Sequence, residues 1–473
     1  MLCPRDTPSG TAAKPDEQRR VEDEIASFVS RHEALALVRE LAALGPRTGG
    51  TAKGHRAAKL IAGRMRDMGL TVAVIDDPET HVHEALAWSV QADGRPVASA
   101  HPWINAPSIP SSTLTLAADP GPTAASPGHE NALRGAAVIT SRGGHADLIA
   151  SGAAAILTDF PGSEDRYADW AFIGEQPEGS RVPVFGVSFH EGERMRDALR
   201  RGGTVRIAVA LEARSGSGRP RTVVGTLEGA GAMAGRTIVV CAHGDSDGGG
   251  PGADDNASGE AATLEVARAL IRAARGGHLP ASRPRVLFMI WGKEYHSSEA
   301  WVRANGETMK GLIAVMNYDQ VGTGARRNAL YYEGNDIAAN AGLLRTIESV
   351  AVDHAGYEGY WKEHTSCPSM GGTDAFAFLS ESQGGTAGGD LEVAATTIFS
   401  AAWDREKKVE QPEAWRSAGW PKGEDVVIDY SRYYHSPADT PANTTEAEPH
   451  NIERAARLVV LTIRRLMLAR PGS

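Results

Sequence analysis

The sequence predicts an α/β fold in which helices flank a mostly parallel, doubly wound sheet. After residue 221, short apolar runs alternate with amphipathic segments of helical periodicity, which is the pattern of strands joined by crossover helices. The clearest runs, at 237–241, 286–291 and 313–318, are each followed at once by polar residues. In open α/β sheets, ligands bind beyond the carboxyl ends of the strands. We therefore expect a functional site along one edge of this sheet.

The composition is that of a globular protein without nucleic-acid or membrane partners. Hydrophobic residues make up 41% of the 473 residues, enough for two or three domains with a large core. The net charge of −10 argues against nonspecific binding to nucleic acid. No apolar run is long enough to span a membrane, and the N-terminus lacks the apolar core of a signal peptide. Because the three cysteines are widely spaced and offer no disulfide framework, we expect a cytoplasmic protein.

The chain before the sheet is predicted to contain a tail and two helical segments. Residues 1–20 carry no apolar periodicity and are predicted to be a disordered tail. Helical spacing runs from Val21 to Leu41, and a second amphipathic helix is predicted from about Ala52 to Met68. We assign residues 21–83 to the same domain as the later sheet.

Residues 84–218 have a different pattern, in which short apolar runs alternate with clusters of Pro, Gly and Ser. This pattern predicts an inserted β-rich domain. The stretch from Ser215 to Pro220 has the composition of a linker and is predicted to be the domain boundary. The sheet-forming domain then resumes and occupies residues 219–473.

The densest polar cluster lies between the run at 237–241 and the helix predicted after it. Its members carry side chains that can bind a cation, and they are His243, Asp245, Asp254, Asp255 and Asn256. Packed together without a counterion, these acids would repel one another and lose hydration, whereas a divalent metal removes both problems. The alternative interpretation is helix capping, which Asp254 or Ser258 alone would satisfy.

Polar residues also follow three later predicted strands. They are Lys293 to His296 after the second run, Asp319 after the third, and Tyr434 to Asp439 near the C-terminus. Because the ends of successive strands converge in a doubly wound fold, we expect these residues to meet His243. Such oxygen and nitrogen ligands suit zinc, and two zinc ions that share a carboxylate can activate a water molecule.

As a set, these motifs resemble the family of di-zinc aminopeptidases that also includes glutamate carboxypeptidases and glutaminyl cyclases. The motifs that carry the resemblance are His-x-Asp at 243–245, Gly-Ala-Asp-Asp-Asn at 252–256, Asn-x-Asp at 317–319 and His-Ser-Pro-x-Asp-Thr at 435–440. The resemblance covers 221–468 well and 33–75 weakly. It implies a zinc-exopeptidase-like fold for the sheet-forming domain.

The predicted insertion carries a resemblance of its own. The segments GAAVITSRGGHADLIASGAAAILTDF and VPVFGVS are similar to a protease-associated domain. The resemblance therefore implies a protease-associated-like domain at residues 84–218.

The family resemblance implies a set of metal ligands. His243 and Asp319 would hold the first zinc ion, and Asp255 would bridge two ions. His435 would hold the second ion.

The resemblance also implies roles around the ligands. Asp245 would orient the His243 ring through a hydrogen bond. Glu294 would be the general base, which takes a proton from zinc-activated water and delivers it to the leaving amine. Asp374 and Tyr434 are expected to be pocket residues.

One position departs from the family pattern. The family normally has two adjacent glutamates, the second of which binds the second metal, whereas this chain has Glu294, Tyr295 and then His296. Three interpretations remain open. Tyr295 or His296 supplies the missing ligand, or Glu294 becomes the ligand and leaves the base unfilled, or the second site is weak or empty. We expect one firm zinc site and a modified second one.

The resemblance implies a metal-dependent hydrolase that cleaves an amide bond. The expected activity is that of an aminopeptidase-type exopeptidase acting on a small peptide or an acylated amino-acid-like substrate. The change at Tyr295 leaves two alternatives. One is a relative with lapsed catalysis that keeps a binding role, and the other is an amidohydrolase or cyclase acting on a small acylated metabolite.

Overall fold

Two eight-stranded sheets organise the chain, and each has its own buried core. The computed structural model describes residues 16–121, 133–162, 167–246, 249–323, 329–334, 338–368, 373–379, 393–400, 402–404, 427–429 and 433–469. Helices flank the first sheet, so the predicted α/β fold class is confirmed.

The first sheet contains the apolar runs that the sequence singles out. Its strands are β1 (Thr71–Asp76), β10 (Arg221–Leu227), β11 (Thr237–His243), β12 (Arg285–Trp291), β13 (Leu312–Tyr318), β14 (Ala329–Gly334), β15 (Glu363–Pro368) and β16 (Ala395–Phe399). They lie in the order β1-β10-β12-β11-β13-β16-β14-β15. Pairing is parallel from β12 to β16 and between β14 and β15. It is antiparallel where β10 joins β1 and β12 and where β14 joins β16.

The second sheet lies within residues 80–218. Its strands are β2 (Thr80–Ala92), β3 (Arg95–Pro96), β4 (His101–Pro102), β5 (Ile109–Ala118), β6 (Ala137–Thr140), β7 (Ala155–Thr158), β8 (Val184–Gly186) and β9 (Arg206–Gly218). They lie in the order β3-β2-β9-β5-β6-β7-β8-β4. A separate pair joins β17 (Ala402–Asp404) to β18 (Val427–Asp429). The likeness of residues 84–218 to a protease-associated domain stays a prediction.

The predicted linker at Ser215 to Pro220 is wrong for its first four residues. Strand β9 continues to Gly218, because its Ser and Gly residues pair with β2 from Thr80 to His83. Hydrogen bonding along a long antiparallel ladder therefore overrides the low strand propensity of these residues.

Helices surround the first sheet, which with them forms the first unit. Residues 80–218, with the second sheet and the helices between its strands, form the second unit. The helices are α1 (Asp16–Ser27), α2 (Arg31–Ala42), α3 (Ala52–Met68), α4 (Ala146–Ala150), α5 (Phe189–Arg200), α6 (Ala257–Arg275), α7 (His296–Ala304), α8 (Gly306–Lys310), α9 (Ala338–His354) and α10 (Asn451–Leu468). The ends of α3 illustrate why such boundaries are predictable. The Thr51 side chain accepts a hydrogen bond from the Gly54 amide, and Gly69 adopts a left-handed conformation after the last turn. Within the described residues, no helix combines the length and the apolarity needed to cross a bilayer.

Helix α6 lies at the centre of the larger core. Its Ala- and Leu-rich surface is buried along almost its whole length, and it packs against α2, α10 and the central strands. Full burial of Leu264 or Leu270 contributes about 2 kcal/mol each to stability. The helix begins after Asn256, whose Oδ1 accepts a hydrogen bond from the Gly259 amide at 3.0 Å. Because Asn256 Nδ2 also donates to the Tyr318 carbonyl at 2.9 Å, the start of α6 is fixed beside the end of β13.

Helix α1 begins at Asp16, so residues 16–20 belong to a helix and not to a tail. The cause is a buried ion-pair network around Glu22. The Glu22 carboxylate accepts hydrogen bonds from Arg465 at 2.8 and 2.9 Å and from His354 at 3.0 Å. Residues 1–15 of the predicted tail lie outside the described residues.

The Glu22 network predicts a pH-dependent contribution to stability. Burial alone would raise the pKa of Glu22, but the hydrogen bonds from His354 and the Arg465 charge hold the pKa well below its ordinary value of 4.5. A depressed folded-state pKa stabilises the protein above that ordinary value, and the contribution is lost as the pH falls through and below it. We expect Glu22→Gln to lower the free energy of unfolding by about 3 kcal/mol at pH 7, since it breaks a buried pair.

The measurement is chemical denaturation between pH 7 and pH 3, with Glu17→Gln on the exposed face of α1 as the matched control. The difference between wild type and Glu22→Gln should shrink as the pH falls. A difference that stays constant over this range would contradict the expected role of the carboxylate.

Candidate metal centre and active site

Three predicted ligands meet at the carboxyl end of β11. His243 Nε2 lies 3.4 Å from Asp255 Oδ1 and 3.7 Å from Asp319 Oδ1, and one ligand atom from each of the three residues lies within 4.8 Å of the others. His435 approaches from the opposite side, with Nε2 3.2 Å from Asp255 Oδ2. The Asp255 carboxylate thus faces one imidazole with each of its oxygens. This is the arrangement that a carboxylate shared by two cations requires.

Strand ends and one helix start bring these side chains together. His243 is the last residue of β11, and Asp319 directly follows β13, the parallel neighbour of β11. Asp255 is placed by the loop before α6, whose backbone is held by Asp439. The two Asp439 oxygens accept hydrogen bonds from the amides of Asp254 at 2.8 Å and Asp255 at 3.0 Å.

Asp254 has a different task from its neighbour. Its carboxylate accepts hydrogen bonds from the Gly322 amide at 2.7 Å and from the Thr323 amide and hydroxyl at 3.2 and 2.8 Å. It therefore ties the loop before α6 to the segment after β13. Neither Asp254 nor Ser258 caps α6, because Asn256 takes that position.

Buried charge dominates the electrostatics of the group. Burial raises the pKa of Asp319, and the charge of Asp255 adds to the effect. Burial would also raise the pKa of Asp255, but hydrogen bonds from His243 and His435 hold it below its usual range. The pKa of His243 is raised by Asp245, Asp255 and Asp319 in spite of the burial of the ring. The site therefore stabilises positive charge among its carboxylates.

The donor set fits a zinc ion. Asp319 Oδ1 is buried, and no hydrogen-bond partner for it lies among the described residues. An unsatisfied carboxylate oxygen that faces an imidazole and a second carboxylate is costly without a cation. His243, Asp255 and Asp319 supply the nitrogen and oxygen ligands that zinc accepts.

Asp245 connects the ligand His243 with Glu294. Its Oδ1 lies 3.2 Å from His243 Nδ1 and accepts a hydrogen bond from the Glu294 amide at 3.0 Å. This contact leaves Nε2 as the ring nitrogen that faces the carboxylate group. The same carboxylate therefore orients the ring and fixes the backbone that carries the predicted base.

Tyr295 follows Glu294 in a strained conformation. Its φ of 53° and ψ of −54° lie in a region that is costly for a residue with a side chain, by about 1–3 kcal/mol. The turn is held from below by Asp374, whose Oδ1 accepts hydrogen bonds from the Tyr295 amide at 3.0 Å and the Ser298 hydroxyl at 2.7 Å. Burial raises the pKa of Asp374 to about 7.

We call the cluster of His243, Asp255, Asp319 and His435 the metal group. His296 does not lie beside it. Its Nε2 lies 2.9 Å from the carbonyl oxygen of Pro78, because the first turn of α7 directs this ring towards the start of β2. Among the candidates for a second-site ligand, Tyr295 therefore has the better position, since it lines the cavity beside Glu294.

A cavity of about 390 Å³ opens beside the metal group and is lined by residues that follow strands of the first sheet and by residues of the second unit. From the first unit it is lined by Asp245, Glu294, Tyr295 and His435, and from the second by residues of β2, β4 and the segment 173–178. The two units touch at His435. The Ile173 amide donates to the His435 carbonyl at 2.7 Å, and the Phe172 ring stacks on the imidazole at 5.9 Å.

Two predicted pocket residues support the site without lining this cavity. Asp374 is buried beneath the turn at Tyr295. The Tyr434 ring stacks on His435 at a centroid distance of 3.7 Å, and its carbonyl accepts a hydrogen bond from the Tyr167 hydroxyl. Both residues therefore act on the turns that carry site residues and do not form the cavity wall.

Sequence reasoning missed Arg47, which is fully buried beneath the metal group. Its guanidinium donates to the carbonyls of Pro251 at 2.5 Å, Gly252 at 3.1 Å and Gly244 at 3.4 Å. It also lies 3.6 Å from Glu260 in α6, a residue whose pKa is raised by burial to about 8. A lone arginine in a glycine-rich loop carries no pattern that would have predicted these contacts.

Known proteins resemble the chain in sequence and in fold. Residues 222–460 match the sequence model of Peptidase family M28. No curated protein matches the chain by sequence.

Similar solved structures include the peptidase M28 precursor from Shewanella amazonensis SB2B, with 14% identity, a TM-score of 0.69 and coverage of 96% of this chain and 98% of that chain. A zinc aminopeptidase from Bacillus subtilis has 19% identity and a TM-score of 0.61, with coverage of 92% and 95%. An aminopeptidase from Aneurinibacillus sp. strain AM-1 has 18% identity and a TM-score of 0.58, with coverage of 95% and 97%. At these identities the likeness establishes a common fold over nearly the whole chain.

The Arg47 contacts predict a linked loss of stability and metal affinity. Arg47→Met removes the donor to the Pro251 carbonyl and the cation beside the buried carboxylate of Glu260, so we expect the free energy of unfolding to fall by about 3 kcal/mol. The segments of chain that carry His243 and Asp255 lose a common support, so zinc affinity should fall about tenfold.

The measurements are chemical denaturation and competitive zinc titration, with the exposed Arg56→Met on α3 as the control. Arg47→Lys keeps the charge without the planar fork and should recover only part of both losses. Unchanged zinc affinity in Arg47→Met would show that the arginine does not support the metal group.

Proposed function

Because the chain belongs to peptidase family M28, we propose that it is a zinc-dependent hydrolase of peptide bonds, acting as an aminopeptidase-type exopeptidase. The observation that carries the proposal is the group formed by His243, Asp255 and Asp319, whose ligand atoms lie within 4.8 Å of one another. This group lies beside a cavity large enough for a small peptide. Zinc ligands next to a substrate-sized cavity are what metal-assisted hydrolysis requires.

The proposed ligands of the first zinc ion are His243, Asp255 and Asp319. Asp255 and His435, whose side chains approach to 3.2 Å, are the proposed ligands of a second ion. Zinc, when bound, supplies a Lewis acid that polarises the amide carbonyl and lowers the pKa of water.

Glu294 is the proposed general base. It lines the cavity, and its backbone is fixed by the hydrogen bond from its amide to Asp245. Its carboxylate accepts a proton from the attacking water and returns that proton to the nitrogen of the leaving amine. The water oxygen becomes part of the new carboxylate product as the carbon–nitrogen bond breaks.

The second site is proposed to be modified by Tyr295. A phenol has an ordinary pKa near 10 and is a weaker ligand than a carboxylate. The ligands that remain are Asp255 and His435, which favours weaker binding of the second ion. A relative with lapsed catalysis and an amidohydrolase acting on a small acylated metabolite are the alternatives that the experiments below distinguish.

Metal content and chelation test the proposed function directly. We expect at least one zinc ion per purified chain and hydrolysis of amino-acid anilides or short peptides. Chelation should abolish the hydrolysis, and added zinc should restore it. Protein that binds zinc but hydrolyses none of these substrates, and no acyl-amino acids, would favour the lapsed relative. Turnover of acyl-amino acids alone would favour the amidohydrolase.

The role of Glu294 is separable from metal binding. We expect Glu294→Gln to keep its zinc content while kcat falls at least a hundredfold, because the amide cannot accept the proton. Glu299→Gln is the matched control, since Glu299 lies in α7 and pairs with Arg303 at the surface. Loss of zinc together with activity in Glu294→Gln would identify Glu294 as a ligand.

A further inference from the structure

We propose that the cavity binds a carboxylate of the substrate through Lys53 and Lys293, an inference that rests on the proposed function and specifies its substrate class. Lys53 lies in α3, and Lys293 is the residue directly before Glu294. Both line the cavity that also contains Glu294 and His435. The two lysines therefore line the same cavity as the proposed base, Glu294.

The 45–50 loop holds both lysines on one wall. A Cβ atom at Gly45 would lie 3.2 Å from Lys53 Nζ, and one at Gly49 would lie 2.8 Å from Lys293 Cβ. Lys293 Nζ lies 3.4 Å from the Thr80 hydroxyl at the start of β2. The side chains are half-buried and packed against backbone, so their charges are less screened than those of fully exposed lysines.

Neither lysine forms an ion pair with a residue that the structure describes. Among the described residues, no carboxylate oxygen lies within 4.0 Å of Lys53 Nζ or Lys293 Nζ, although such pairs form throughout the rest of the surface. A half-buried ammonium group without an anionic partner favours an anionic ligand.

The acids of the second unit that line the same cavity already have partners. Glu84 accepts a hydrogen bond from Arg214, and Glu175 accepts one from Asn105 Nδ2 at 3.1 Å. Glu178 lies 3.7 Å from the His81 ring. Of these three acids, only Glu84 is paired with a cation within the described part of the chain. None of them lies within 4.0 Å of the ammonium group of Lys53 or Lys293, so both lysines stay open to an anionic ligand.

The rest of the wall suits the uncharged part of a small substrate. Trp88, Trp103 and His101 line it, and the Trp88 and His101 rings meet edge to face at 4.7 Å. Burial lowers the pKa of His101 to about 4, so this ring adds no positive charge at neutral pH. Among the described residues that line the cavity, Lys53 and Lys293 are thus the lysines available to a substrate.

A carboxylate can come from two parts of a small peptide. It is either the acidic side chain of the residue whose amide is cleaved or the C-terminal carboxylate of a dipeptide-sized substrate. The test therefore uses two matched pairs of substrates. The first pair is a glutamyl and a glutaminyl anilide, and the second is one neutral dipeptide with a free or an amidated C-terminus.

The zinc-loaded full chain should show a higher kcat/KM for the carboxylate member of at least one pair, by about tenfold. Lys53→Gln and Lys293→Gln should each reduce that ratio several-fold, mainly by raising the KM of the carboxylate substrate. Added salt should reduce it as well. Lys59→Gln, on the exposed face of the same helix α3, is the control and should leave the ratio unchanged.

The pair that shows the preference identifies the source of the carboxylate. Equal kcat/KM values within both pairs, or ratios that neither lysine variant alters, would overturn the inference while the proposed hydrolase stands. If no substrate is cleaved, the proposed function falls. Calorimetric binding to the wild type and the lysine variants, of glutamate against glutamine and of a neutral dipeptide against its C-terminal amide, then decides the inference alone.

Discussion

Compensation of buried negative charge at the end of β11 is the constraint on which the rest of the structure depends. Asp245, Asp254, Asp255, Asp319 and Asp439 are all nearly inaccessible to solvent. Desolvating so many carboxylates is expensive unless each has donors or a cation. Amides, hydroxyls or rings compensate the carboxylates of Asp245, Asp254, Asp255 and Asp439. Asp319 keeps an unsatisfied oxygen beside His243, a position at which a cation would supply the missing compensation.

Support of the proposed ligands comes from distant parts of the chain. Asp439, 184 residues after Asp255, accepts hydrogen bonds from the amides of residues 254 and 255. Arg47, in the loop before α3, donates hydrogen bonds to the carbonyls of Pro251 and Gly252. The segment before α3 and the segment before α10 thus support the same loop. Folding of the whole unit is therefore required before the group of carboxylates and imidazoles can form.

Much of the fold could be predicted because apolar periodicity and capping residues act locally. Helix α3 begins at Ala52 and ends at Met68, as the amphipathic pattern predicts. The family resemblance read from four short motifs is confirmed by the match over 222–460. The meeting of His243, Asp255, Asp319 and His435 was also predictable, since each follows a predicted strand or precedes a predicted helix. Their roles as ligands stay predictions.

Other features depend on tertiary contacts that no local pattern reveals. The extension of β9 to Gly218 comes from its partner β2, far away in sequence. His296 was a reasonable ligand by chemistry, yet the direction of α7 sends its ring to Pro78. Asp374 and Tyr434 are predicted to be pocket residues, and the contacts through which they act are tertiary: Asp374 accepts a hydrogen bond from the Tyr295 amide, and the Tyr434 ring stacks on His435. Propensity and motif cannot predict on which side of a backbone turn such residues lie.

His435 lies where the two sheet-based units meet, and this has a consequence for how the protein could diverge. Its backbone carbonyl accepts a hydrogen bond from the Ile173 amide, and its ring stacks on the Phe172 ring. A histidine of the first unit is therefore held in place by the second unit. Deleting or exchanging the second unit would therefore disturb metal chemistry as well as access to the cavity. Evolution or engineering could vary residues of β2 and β4 that line the cavity, but the contacts of Phe172 and Ile173 with His435 would have to be kept.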